Sequence, residues 1–137
     1  MLAIRKETDY ALRVLLHLTL QPPGTRITTK EVARQRLIPK NLIRRITAHL
    51  VNAGFLSSTR GRGGGISLAR RPEEIALIDV VETIEGPLVI SECVAQPQEC
   101  PLAKECPVRA VWKHSQVHLR RSWAEITLAD LAGQVEV

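Results

Sequence analysis

The sequence predicts a mainly α-helical chain in which three helices and a two-stranded hairpin form one unit and a single long helix follows. Three observations carry this expectation. Apolar residues recur at helical spacing in several stretches, a glycine run joins two β-prone segments in mid-chain, and one apolar stripe continues over about twenty late positions.

The first helix is expected from Thr8 to Leu20, because Ala11, Val14, Leu15 and Leu18 fall on one face and Gln-Pro-Pro-Gly from Gln21 to Gly24 ends it. Thr28, Thr29, Lys30 and Glu31 read as a capping box, with the Thr28 hydroxyl accepting from a backbone amide and Glu31 reaching back to the cap. A short second helix then runs to about Arg36. A third helix is bounded by Pro39, placed at its first position, and by Gly54, placed at a left-handed stop. On its wheel Leu42, Ile43, Ile46, Leu50 and Ala53 face one way, and Lys40, Asn41, Arg44 and Ala48 the other, flanked by Arg45 and Thr47.

Phe55 to Thr59 and Ile66 to Ala69 are β-prone, and Arg60-Gly61-Arg62-Gly63-Gly64-Gly65 joins them as a hairpin with two arginines at its tip. That glycine run lacks the Gly-Lys-Ser/Thr ending of a nucleotide loop and has no helix directly after it. Ile78 to Glu85 makes a short helix stopped by Gly86 and Pro87, and a cysteine-bearing loop follows from about Leu88 to Cys106. From Pro107, residues Val108, Val111, Trp112, Ser115, Leu119, Trp123 and Ile126 form one stripe, which wants a partner. Thr127 to Asp130 caps a last short helix, and a loose tail ends the chain.

Composition narrows the function classes. Aromatic residues make up only 3% of the 137, so the core must be built from Leu, Ile, Val and Ala. The most apolar run, Val14 to Leu20, is far short of the ~20 residues of a membrane span and contains His17. The N-terminus carries charge where a signal peptide needs an apolar stretch, and a cytoplasmic location is expected. The net charge of +5 divides sharply: residues 1–71 hold 14 Lys and Arg against 3 Asp and Glu, and residues 72–137 hold 5 against 11. A basic first half is what a phosphate-neutralising surface requires.

Three helices and a hairpin make a winged helix-turn-helix, in which the third helix enters the major groove of double-stranded DNA and the wing approaches its backbone or minor groove. Asn pairs with adenine and Arg or Lys with guanine, so Lys40, Asn41 and Arg44 are the base-reading candidates, with Arg45 beside them. Arg60 and Arg62 suit phosphates or a narrow minor groove, and Thr28 and Thr29 suit a phosphate at a helix N-terminus. Cys93, Cys100 and Cys106 are too few and too odd in number for a disulfide framework, and their clustering points to metal or redox chemistry: an iron–sulfur cluster, zinc or a thiol switch. Cys106 with His114 is the only nearby nucleophile and base, and nothing supplies an oxyanion site, so an enzyme is not expected. His114 and His118 lie one turn apart on the long helix, a spacing open to a metal, to solvent or to an interface, whereas His17 and His49 read as structural or surface residues.

The segment Thr8 to Arg13, the wing from Arg60 to Ala69 and the Ile78 to Val81 helix resemble the Rrf2 family of regulators, over nearly the whole chain. The resemblance implies a repressor that binds a palindromic operator as a homodimer, with the long helices crossing at the two-fold. It aligns Asn41, Leu42 and Arg44 with base-reading positions and Arg60 with a wing contact. It also likens the cysteine loop to that of members holding a 4Fe–4S or 2Fe–2S cluster. IscR-like members take a His three residues after the last cysteine as fourth ligand, and here that residue is Arg109. NsrR-like members take an Asp near the partner's N-terminus, and Asp9 occupies the matching place; it equally suits the first turn of its own helix. An NsrR-type reading implies that nitric oxide destroys the cluster and releases repression. The expected division is residues 1–86 for DNA binding, 87–106 for sensing and 107–137 for dimerisation.

Overall fold

In the computed structural model of the chain, which describes residues 3–134, the first helix begins two residues earlier than its apolar spacing places it. Helix α1 runs over Lys6–Thr19, and Thr8, a polar residue, belongs to its buried face. The Thr8 hydroxyl donates to a Glu85 carboxylate oxygen at 2.7 Å, which removes the cost of burying it. Helices α2 (Thr29–Arg36) and α3 (Lys40–Asn52), strands β1 (Leu56–Thr59) and β2 (Gly65–Leu68), and helix α4 (Leu77–Glu85) follow as expected, within two residues at each end.

The capping of α2 differs from expectation in one half. Thr28 accepts from the Glu31 amide at 3.2 Å, but the Glu31 carboxylate turns away to Arg34 and Gln35 instead of returning to the cap. Pro39 is the N-cap of α3 and not its first residue, and Gly54, at φ +84°, takes the left-handed stop.

Strands β1 and β2 pair antiparallel, with Leu56 opposite Leu68 and Thr59 opposite Gly65. Ile27 adds a rung on the other edge of β2: its amide donates to the Ile66 carbonyl at 3.0 Å and its carbonyl accepts from the Ile66 amide at 2.8 Å. This pairing fixes the wing against the chain entering α2. It also explains Gly65, where a Cβ would stand 2.4 Å from the Ile27 carbonyl oxygen.

Helix α1 lies at the centre, against α2, α3, α4 and the last helix, α7 (Leu128–Gly133). Val14, Leu15, Val32, Leu50, Ile75 and Leu128 are fully buried in one core. Each contributes roughly 1.5–3 kcal/mol by leaving water. Thr127 and Asp130 form the expected capping box on α7. Leu128 reaches this core because the chain on either side of α4 and α7 is stitched together, Leu77 N–H to the Ile126 carbonyl and Leu128 N–H to that of Ile75.

Between α4 and α7 come a single helical turn, α5 (Glu92–Ala95), a 3-10 turn over Pro97–Glu99, and the long helix α6 (Pro107–Glu125). Helix α6 packs on α4 and α5, yet none of its residues is fully buried. The expected loose tail falls on residues 135–137, outside the described residues. Among the described residues no helix is long and apolar enough to cross a membrane. The architecture is a mainly helical, winged helix-turn-helix fold with a long C-terminal helix appended.

Candidate nucleic-acid interface

Helix α3 presents a cationic face because its apolar residues occupy the other one. Ile43, Ile46 and Leu50 are buried, while Lys40, Asn41, Arg44 and Ala48 are exposed. Two residues depart from the wheel. Thr47 is buried, its hydroxyl donating to the Ile43 carbonyl at 2.8 Å, and Ala53 is exposed, beyond the last turn. The turn from α2 to α3 is made by Leu37 at φ +56°, a conformation that costs a non-glycine residue about 1–2 kcal/mol.

The wing lies beside this face. Gly64 N–H donates to the Gly61 carbonyl at 2.9 Å and closes the tip, leaving Arg60 and Arg62 exposed. Two clefts run along α3. The one toward α2 is lined by Thr29, Lys30, Lys40, Asn41 and Arg44; the one toward the wing is lined by Thr29, Arg44, Ala48, Ser58 and Arg60. Thr29 and Arg44 border both clefts. Thr28 caps α2 just before them, and its hydroxyl hydrogen stays free to donate. Lys30 was not among the sequence candidates; its place one residue after Thr29, away from buried Val32 and Ala33, was the signal.

Among the described residues, Lys40, Arg44, Arg60 and Arg62 make no ion pair and no side-chain hydrogen bond. Lys6, Arg26, Lys30, Lys104, Lys113 and Arg121 are likewise engaged by no partner among the described residues; what distinguishes the first four is their place on the outward face of α3 and on the wing. Arg34 pairs with Glu31, Arg13 donates to the Arg36 carbonyl, and Arg45 meets Glu7 of α1 at 2.5 Å. Arg45 therefore ties α3 to α1, whereas its neighbour Arg44 points free.

The cysteine loop is attached to the helices at several points. Glu82 of α4 accepts from the Leu88 amide at 2.8 Å and from Arg120 of α6 at 2.7 Å. Gln116 of α6 accepts from the Ile90 amide at 3.0 Å. Arg109 donates to the Cys93 carbonyl at 2.9 Å, so the residue standing at the IscR-type ligand position pins the loop backbone. The three thiols are free and half-buried. Cys93 Sγ is hydrogen-bonded to Ser91 Oγ at 3.1 Å, and Cys106 Sγ caps α6 by accepting from the Arg109 amide at 3.5 Å. Thiolates are suitable donors for an iron–sulfur cluster or zinc, but the arrangement within one chain does not fit either. Among the described residues, no three His, Cys, Asp or Glu side chains stand close enough together to hold a metal. Asp9 sits exposed in the first turn of α1 with Glu7, where a carboxylate complements the helix dipole.

Comparison with known proteins agrees with this geometry. Residues 4–134 match the family model Rrf2, described as an iron-dependent transcriptional regulator. The chain is 36% identical over 125 residues to the HTH-type transcriptional regulator NsrR of Halalkalibacterium halodurans, covering 90% of this chain and 86% of that one. Its fold is similar to that of CymR (YrzC), the global cysteine regulator of B. subtilis, with a TM-score of 0.83, 25% identity, and coverage of 99% and 100%. It is also similar to T. potens IscR, with a TM-score of 0.79, 23% identity, and coverage of 98% and 89%. These relatives are regulators and not enzymes.

Proposed function

This chain belongs to the Rrf2 family of transcriptional regulators, and from that premise we propose that it represses genes by binding a palindromic operator as a homodimer in the bacterial cytoplasm. The observation that carries the reading is the set of unengaged cations on this surface, Lys40, Arg44 and Arg60 lining the two clefts and Arg62 exposed at the wing tip. In this reading Lys40, Asn41 and Arg44 read base edges, while Arg60, Arg62, Thr28 and Thr29 hold phosphates. Arg45 supports α3 through Glu7 and reaches the backbone only at the edge of the interface.

The second subunit docks along α6. Val108, Val111 and Trp112 of the apolar stripe are 54%, 56% and 41% exposed, more large apolar surface than a lone helix leaves in water without use. The domain division into residues 1–86, 87–106 and 107–137 follows the same roles, although Leu128 also anchors the last segment in the first.

The cysteine loop is the sensor, and two chemistries compete for it. The family description and the NsrR relative support an iron–sulfur cluster, of the 4Fe–4S or 2Fe–2S kind, held by Cys93, Cys100 and Cys106 with Asp9 of a second subunit, and responsive to nitric oxide. Free, ungathered thiols support a thiol-redox switch instead, with structural zinc a third possibility. Footprinting of genomic fragments under oxidising and reducing conditions tests the reading. A protected palindrome is expected, and its absence under both conditions contradicts operator binding. Iron, sulfide and zinc analysis of anaerobically purified protein decides the sensor: iron with sulfide supports the cluster, zinc alone or no metal rejects it.

A further inference from the structure

The long helix carries a feature that neither the operator-binding surface nor the cysteine loop uses. His114 and His118 stand four residues apart on α6, both exposed, with ring centroids 4.4 Å apart and ring planes inclined at 65°. Residues at this spacing share one helix face, a single turn apart. Two imidazoles so close can bring one ring nitrogen each to a common point by side-chain rotation, and the i, i+4 spacing is that by which helical histidine pairs hold zinc.

The pair lies clear of the contacts that anchor the helix. The residues through which α6 grips its own subunit, Arg109, Gln116 and Arg120, lie on the opposite side of the helix. Of the apolar stripe, Val108, Trp112 and Leu119 run roughly a quarter to two-fifths of a turn away from the histidines, while Val111, one turn before His114, borders the pair about a tenth of a turn away. A metal held at the pair therefore needs no movement of the loop and sits at the edge of the stripe, beside Val111. Arg121 lies one turn beyond His118 on a long solvated side chain, whose repulsion of a cation is screened by water and salt.

We propose that His114 and His118 form a two-imidazole chelate for a divalent transition metal of the nickel, copper and zinc class, with water completing the coordination. Imidazole nitrogen suits these ions, whereas magnesium and calcium prefer oxygen donors. Both rings are already in solvent, so binding demands only the alignment of two side chains that are already neighbours. Linking two donors on one rigid turn makes the second metal–nitrogen bond effectively intramolecular. Because α6 has no fully buried residue, a metal bridging one of its turns also stiffens a helix whose whole length is partly open to solvent.

The site is independent of any metal at the thiols, and the test separates the two. Nickel(II) titration of the full chain carrying Cys93→Ser, Cys100→Ser and Cys106→Ser should still show one site per chain. Adding His114→Ala or His118→Ala to that background should weaken it at least about tenfold. Should the serine variant not fold, proton NMR of the wild-type chain gives the same answer. Substoichiometric paramagnetic nickel should broaden the ring signals of His114 and His118 before that of His49, which is exposed but alone. Equal broadening of all exposed histidines, or undiminished nickel affinity in both alanine variants, overturns the proposal.

Discussion

Nδ1 of His17, buried in α1, accepts a hydrogen bond of 2.8 Å from Nε of Arg36 at the end of α2. The imidazole is neutral in this arrangement, because a protonated ring has no lone pair to offer and would face a guanidinium. Burial, and after it the charge of Arg36, holds the His17 pKa below its ordinary value of 6.5. The contact places the end of α2, and with it the turn into α3, against the central helix.

A group whose folded pKa is depressed binds protons more readily in the unfolded chain, so its contribution to stability is complete above pH 6.5 and is lost as the pH falls toward its folded value. Urea denaturation between about pH 7.5 and pH 5 should show an acid decline that is shallower in His17→Gln, which retains an acceptor but does not titrate. An identical decline in both proteins removes His17 from the account.

Gly65 and Gly61 make a paired test of the wing. A Cβ on Gly65 meets the backbone of Ile27, which has no room to yield, while one on Gly61 meets nothing and suffers only from its φ of +88°. Gly65→Ala should cost about 3 kcal/mol or more and Gly61→Ala about 1–2 kcal/mol, measured by chemical denaturation. Equal costs would mean that the rung between Ile27 and Ile66 does not hold the wing.

Much of this fold is written locally, and that is why it is legible. The glycine tip, the polar face of α3 and the capping residues of α7 announce themselves within a few positions. Residue pairs distant in sequence do not. Nothing near Thr8 indicates Glu85, nothing near Glu7 indicates Arg45, and nothing near Leu128 indicates a core shared with Leu15. The same limit applies at the cysteines: three thiols in one short segment declare metal or redox chemistry, but whether their sulfurs converge depends on a loop path that no periodicity encodes.

Arg44 and Arg45 are adjacent and chemically identical, yet their replacement should have opposite consequences. Arg45→Ala breaks the contact with Glu7 and should lower stability by less than about 1 kcal/mol, as for other exposed pairs. Arg44→Ala should leave stability unchanged and weaken operator binding by about tenfold, the effect of losing one base contact. Band-shift titration alongside denaturation distinguishes them, and an Arg44 variant with full affinity contradicts its assignment.

Arg109 should govern access to the cysteine loop. Its side chain is the link between α6 and the Cys93 carbonyl, so Arg109→Ala should let α5 move and raise the rate at which Cys93 reacts with iodoacetamide, followed by mass spectrometry. An unchanged rate would show that Glu82 and Gln116 suffice to fix the loop.

The most direct measurement of the central claim is the salt dependence of binding to the palindrome identified by footprinting. If the unused cations contact phosphates, the logarithm of affinity falls linearly with the logarithm of salt concentration, and Arg60→Ala and Arg62→Ala each reduce the slope by about 1. A slope that neither substitution changes would contradict the account.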